Sequence, residues 1–171
     1  RLYLFAEVRG QLRVNSAKVY VTDGGHIDNL GVYQLLKRRC KYIVVIDGEA
    51  DPGMTFSAFS DLQRFARIDE GVRVILNWMP IRDAALARMA DRTKRPAEDE
   101  AANDQHFAIG EILYEAKDGA IDKGLLVYVK ASMTGDEPDY VLDYERRYPL
   151  FPHESTGDQF FSEEQMEAYR A

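Results

Sequence analysis

Cysteine is almost absent from this sequence: Cys40 is the only one in 171 residues. A single thiol cannot form an intramolecular disulfide, and it cannot supply the paired cysteines typical of structural zinc sites. The sequence is therefore not that of a small disulfide-rich secreted domain. A reducing compartment is consistent with this composition.

Positive charge and long apolar runs are also scarce. There are 22 Lys and Arg residues against 29 Asp and Glu residues, so the net charge is −7. We expect no nucleic-acid partner, because phosphates attract clustered lysine and arginine. No apolar run approaches the ~20 residues that span a bilayer. The first residues, "RLYLFAEVRG", resemble a strand more than a signal peptide and lack an initiator Met, which suggests a fragment or a processed chain.

Two groups of catalytic motifs are missing. No serine has a glycine two positions before it, so the chain contains no G-x-S-x-G nucleophile elbow. No glycine-rich phosphate loop is present either, and the only adjacent glycines are Gly24 and Gly25. These 171 residues therefore offer neither a serine-hydrolase nucleophile nor a separate glycine-rich oxyanion loop.

What the sequence does contain is an alternation of strand and helix patterns. Apolar and β-branched runs alternate with segments of helical periodicity, which is typical of an α/β protein. The runs are strand 17–22, a helix from Asn29, strand 42–46, helix 56–71 and strand 72–78. We predict an α/β fold with a partial doubly wound, mostly parallel sheet flanked by helices. The continuous run 42–46 is expected to be buried on both faces.

The second half of the chain has a different pattern. A helix is predicted to begin near Arg82 and to give way to a polar, charged loop around 92–105. Segments 106–116 and 124–132 read as a hairpin, because Asp118-Gly119 between them is a favoured turn pair. Two helices are predicted at the C-terminus, at 139–148 and 162–171, the second capped by Ser162. No linker interrupts residues 1–171, which we take as a single domain.

Asp23 is the strongest candidate for a catalytic group. It directly follows strand 17–22, and the carboxyl ends of parallel strands are where α/β proteins place their sites. Gly24 and Gly25 permit a tight turn and a close approach to the chain. A carboxylate there could accept a proton from a nucleophile. A plain Asp-Gly-Gly turn remains the alternative. His26 lies three residues after Asp23 and two before Asp28, and one histidine with two acids on a turn is too weak a signal for a metal site.

An acidic run invites a calcium interpretation. Asp47, Glu49 and Asp51 alternate after strand 42–46. The run does not match the EF-hand loop, because Pro52 stands at the glycine position and Ala58 at the final glutamate position. We predict no metal ligand here and retain a calcium-binding regulatory domain only as a weaker alternative.

Two stretches resemble the large bacterial patatin-like phospholipases. They are "VTDGGHIDNLGVYQLLKRRCKYIVVIDGEADP" (21–52) and "FPHESTGDQFFSEEQMEAYRA" (151–171), together about a third of the chain. The full "DGGHIDNLG" is fairly specific, whereas a bare Asp-Gly-Gly is not. The resemblance covers the C-terminal part of the catalytic domain, and the intervening residues are compatible with it.

The resemblance implies a mechanism and a role for Asp23. Patatin-like enzymes hydrolyse lipid acyl esters with a Ser–Asp dyad and need no cofactor, and Asp23 with Gly24 and Gly25 matches the aspartate turn. The nucleophilic serine and the oxyanion loop precede that turn in the family and are missing here. The chain would then be the C-terminal fragment of a lipid acyl hydrolase, inactive alone, and membrane association of the longer protein is compatible with this. Asn29 is expected to cap the following helix and Gly31 to let it pack closely on the strand.

A second hypothesis belongs to another class of protein. The chain could be a non-catalytic α/β binding or interaction module that retains the fold. If strands of a longer domain are missing, an exposed sheet edge would favour self-association or binding of the missing N-terminal half. The expected partners are therefore a lipid acyl ester for the longer protein, and a second sheet edge for this chain.

Overall fold

The computed structural model describes residues 24–93, 106–116, 118–155, 157 and 159–171. The strands predicted at 1–8 and 17–22, and Asp23 itself, lie outside these residues. After a 3₁₀ turn at Gly24–His26, the helices are α1 (Tyr33–Lys37), α2 (Ser57–Glu70), α3 (Met79–Ala90), α4 (Asp139–Arg147) and α5 (Glu163–Arg170). The strands are β1 (Tyr42–Asp47), β2 (Arg73–Ile75), β3 (Phe107–Glu115) and β4 (Ile121–Lys130).

The four strands form one mixed sheet in the order β1-β4-β3-β2. β1 pairs with β4 in parallel, whereas β3 pairs antiparallel with both β4 and β2. β1, β4 and β2 therefore run in one direction and β3 in the other. The protein is α/β, with a mixed four-stranded sheet flanked by helices. The β3–β4 hairpin lies between β1 and β2 in this sheet.

Local signals explain the best-predicted elements. Gly119 adopts a positive φ of 82° in the turn between β3 and β4, which confirms the hairpin at Asp118-Gly119. Helix α2 ends at Gly71, whose φ of 66° makes it the left-handed residue that commonly terminates helices. Ser162 caps α5, because its hydroxyl accepts a hydrogen bond from the Gln165 amide at 3.1 Å.

Only one face of the sheet packs against helices in the described part of the chain. Along β1, Ile43 and Val45 are buried while Val44 and Ile46 are exposed. The expectation that this strand is buried on both faces is therefore not met among these residues. The main core lies between the sheet and helices α1, α2 and α3, and its large buried side chains include Tyr114, Tyr128, Phe56, Phe59, Leu36, Ile112 and Leu126.

A second, smaller core holds the C-terminal helices. It contains Met133, Val141, Leu142, Tyr144, Phe151 and Ala168. A buried ion pair joins this cluster to the sheet-bearing part, because Arg88 of α3 lies 2.5 Å from Glu145 of α4. None of the helices in the described ranges combines the length and the apolar character that crossing a bilayer requires.

Candidate functional site at the carboxyl end of β1 and β4

The strongest concentration of buried charge lies where parallel strands β1 and β4 end together. Asp47 is the last residue of β1 and is paired in register with Lys130, the last residue of β4. Both side chains are buried. Ligand sites of open α/β sheets form at this edge, beyond the carboxyl ends of the strands. The position alone makes the cluster a candidate site.

Lys130 is held by two carboxylates. Its Nζ donates to Asp47 Oδ2 at 2.9 Å and lies 3.7 Å from Asp51 Oδ2. The Tyr128 hydroxyl also donates to Asp47 Oδ2, and burial together with this carboxylate raises the pKa of Tyr128 far above its ordinary range. A buried lysine side chain needs such polar partners, because they replace the water that it loses on folding.

Asp51 also accepts hydrogen bonds from backbone amides at the start of helix α2. Its carboxylate accepts hydrogen bonds from the Thr55 amide at 2.9 Å and the Phe56 amide at 2.8 Å. Burial alone would raise the pKa of Asp51, but these hydrogen bonds and the Lys130 charge hold it below its ordinary value. The carboxylate therefore orders the loop that leads from β1 into α2. Phe56 there adopts a left-handed φ of 55°, a conformation that is uncommon for an aromatic residue.

His153 joins the C-terminal segment to this loop. Its Nδ1 lies 3.3 Å from both the Asp51 amide and the Glu49 carbonyl, so the tautomer decides which bond forms. Burial lowers the pKa of His153, and the charge of Lys130 lowers it further. Within the described residues, His153 Nε2 and Glu49 Oε2 are buried without a hydrogen-bond partner. The fold thus brings the C-terminal segment into contact with the loop after β1.

An open cleft lies beside the cluster. Gly25, Asn29 and Glu49 contribute to a cleft of about 370 Å³ that also borders the first turn of α2. Asn29 and Glu49 continue into a neighbouring cleft of about 310 Å³ that is lined by Asp47 and Gly48. The turn that follows position 23 therefore borders the carboxyl end of β1.

The residues predicted for the site from the sequence have different outcomes in the structure. Asp23 lies outside the described residues, whereas Gly24 and Gly25 form the exposed 3₁₀ turn, with two backbone amides donating to the Gly24 carbonyl at 3.0 and 2.8 Å. Asn29 is not the cap of α1. The helix begins later, at Tyr33. The Tyr33 amide donates a hydrogen bond to the Asp28 carboxylate at 2.8 Å.

Gly31 adopts a left-handed φ of 67°, a conformation that favours glycine. Among the described residues, nothing lies within 4 Å of a side chain placed there. The strand predicted at 17–22 lies outside the described residues, so close packing of Gly31 on it stays a prediction.

A further group of possible metal ligands occurs at the start of β3. Among the described residues, the ligand atoms of His106, Asp136 and Glu137 lie within 4.8 Å of one another. Hydrogen bonds already engage each of them. The His106 nitrogens lie 3.0 and 3.2 Å from the Ser132 and Thr134 hydroxyls, and Glu137 accepts from the Thr134 and Gly135 amides at 2.8 Å. The Thr134 hydroxyl donates to Asp136. This arrangement fastens the loop after β4.

Sequence patterns did not single out Lys130, Tyr128 or His153. The signal for Lys130 was present, since Leu126, Tyr128 and Lys130 alternate on one face of a strand. A lysine that continues an apolar alternation can be expected to need a buried carboxylate. His153 lies 102 residues from Asp51, and no local pattern connects them.

Comparisons of the chain with protein-family models, with curated proteins and with solved structures yield no match.

Proposed function

We propose that this chain is the aspartate-bearing C-terminal part of a patatin-like lipid acyl hydrolase. Asp23 would take the proton of a serine supplied from outside residues 1–171, and no histidine would stand between them. The described strands would belong to a larger, mostly parallel doubly wound sheet. The shared direction of β1, β4 and β2 supports this arrangement.

One observation carries the proposal. Gly25, two residues after Asp23, borders the cleft with Asn29 and Glu49 at the carboxyl end of β1. A carboxylate at the start of that turn would lie near the crevice in which α/β hydrolytic sites form. Among the described residues, nothing lies within 4 Å of a side chain placed at Gly24, so these residues do not block the approach of a substrate or of a serine from another segment.

The buried cluster would support the cleft. Asp47, Lys130 and Asp51 fix the strand ends and the loop after β1, and His153 fastens the C-terminal segment to the same loop. A catalytic carboxylate needs rigid surroundings, because small misplacements of reacting groups slow a reaction strongly. These residues would be positioning residues, and none is proposed to contact substrate.

Ester hydrolysis tests the proposal. The purified chain 1–171 should not hydrolyse a p-nitrophenyl acyl ester. A polypeptide that also includes the sequence encoded before Arg1 should hydrolyse it, and Asp23→Ala should lower kcat/KM by roughly 10²–10⁴-fold. Asp118→Ala is the matched control, because Asp118 belongs to another Asp-Gly turn, between β3 and β4. This variant should retain activity. Full activity of the Asp23 variant would refute the assigned role.

The second candidate is a non-catalytic interaction module, and the exposed sheet face favours it. Val44, Ile46, Phe107 and Ile109 are large apolar side chains on that face, and all are exposed among the described residues. Contiguous apolar surface commonly marks an interaction site. This candidate predicts that the longer polypeptide lacks esterase activity and that no G-x-S-x-G is encoded before Arg1.

A further inference from the structure

A small apolar pocket adjoins the polar cleft on its C-terminal side. The pocket has a volume of about 200 Å³, and Pro152, Phe161, Met166 and Tyr169 line it together with Gly48. The Phe161 and Tyr169 rings meet edge to face, with centroids 6.3 Å apart. A dry cavity of ~150 Å³ can hold a molecule of the size of benzene, so this volume admits part of an alkyl chain.

The charges around the pocket favour hydrocarbon over a charged group. The lining residues that the structure describes include one carboxylate, Glu154, and no lysine or arginine. Other groups already hydrogen-bond to Glu154: Tyr144 donates to both carboxylate oxygens at 3.3 Å, and Gln165 Nε2 donates at 3.1 Å. The pocket therefore offers apolar contact and no described cation for an anionic head group.

The pocket and the cleft beside the turn after position 23 share one wall. Gly48 lines both the apolar pocket and the polar cleft, which also includes Asn29 and Glu49. Those two residues in turn border the cleft at Gly25. A molecule that spanned the pocket and these clefts would have its hydrocarbon against Phe161 and Met166 and its polar end toward the turn. An acyl ester has this division between an apolar chain and a polar carbonyl.

We propose that the pocket formed by Gly48, Pro152, Phe161, Met166 and Tyr169 is the subsite for the acyl chain of the substrate. The assignment to substrate rests on the proposed function, whereas alkyl-chain binding by the pocket can be tested without it. The C-terminal helix α5 then determines which chains are accepted, because it carries Met166 and Tyr169.

The test is direct binding of a neutral fluorescent alkyl probe, N-undecyl dansylamide, to chain 1–171. Met166→Asp should raise the dissociation constant by about 10-fold or more, since it places a charge in the apolar pocket. Phe161→Ser should weaken binding in the same direction. The matched control is Phe160→Asp, because Phe160 is 93% exposed and is not among the lining residues. Circular dichroism and thermal melting should show that all variants remain folded.

Two outcomes would overturn the subsite. One is unchanged affinity in both pocket variants. The other is loss of binding in Val44→Asp with full binding in Met166→Asp, which would place the alkyl probe on the exposed sheet face. The probe contains no hydrolysable ester, so Asp23→Ala should bind it normally. Binding at the pocket with an inactive longer polypeptide would reject the proposed function alone. Asp23-dependent hydrolysis with unaltered probe affinity in the pocket variants would reject the subsite alone.

Discussion

The two faces of the sheet are built from similar residues but have different surroundings. One face buries Ile43, Val45 and Ile112 against helices, together with the charged pair Asp47–Lys130. The opposite face presents Val44, Ile109 and other apolar side chains that no described element covers. When both faces of a strand carry apolar side chains, the sequence shows only a continuous apolar run. Such a run does not indicate which face of the sheet packs against helices. The difference between the faces is thus a property of the assembled layers.

The largest expected effect is the loss of the buried charge. Lys130→Ala leaves the Asp47 carboxylate buried without its ammonium partner, and we expect about 3–5 kcal/mol less stability toward unfolding in urea. Lys123→Ala on the same strand is the control, because its pair with Glu111 is exposed and should change stability by no more than about 0.5 kcal/mol. The double variant Lys130→Met/Asp47→Asn should recover much of the loss. Equal stability of both lysine variants would contradict the pairing.

The second comparison uses two isoleucines of strand β3. Ile112 is 0% exposed and Ile109 is 62% exposed, on opposite faces. Ile112→Ala should lower the free energy of unfolding by about 2–5 kcal/mol, since it leaves a cavity in the core. Ile109→Ala should lower it by at most about 1 kcal/mol, the range of strand propensities. If Ile109→Ala lowered the free energy of unfolding as much as Ile112→Ala, the sheet face that carries Ile109 would be covered in solution.

Sequence patterns predicted the elements better than their arrangement. Helix α2, its Gly71 terminus and the hairpin at Asp118-Gly119 follow from local periodicity and turn chemistry, and all are confirmed. The insertion of β3 and β4 between β1 and β2 depends on long-range pairing, and no short pattern encodes it. The same limit applies to the site. The contacts of Lys130 with Asp47 and of His153 with Asp51 span more than 80 residues, so only the assembled fold brings them together.

A smaller effect is expected from pH at the buried face. Burial lowers the pKa of His153, so below about pH 6.5 the unfolded chain binds a proton that the folded chain resists. The neutral His153 side chain therefore contributes its full share of the folding free energy above that pH. Stability falls as the pH decreases below it, by about 1.4 kcal/mol for each pH unit between the unfolded and the folded pKa of His153. His153→Gln should flatten the dependence of melting temperature on pH between 7.5 and 5. An unchanged slope would show that the imidazole is not buried as described.

The smallest expected effect is that of calcium on the acidic run after β1. The Lys130 ammonium already lies 2.9 Å from Asp47 and 3.7 Å from Asp51, where a metal ion would need the same oxygens. The Asp51 oxygens also accept hydrogen bonds from the Thr55 and Phe56 amides. A cation seated here would meet a positive charge and would have to displace these donors. Millimolar calcium should therefore leave the melting temperature unchanged, whereas a ligand at 100 times its Kd adds about 2.7 kcal/mol. If calcium raised the melting temperature and Asp51→Asn abolished that rise, calcium would be displacing the Lys130 ammonium from these carboxylates.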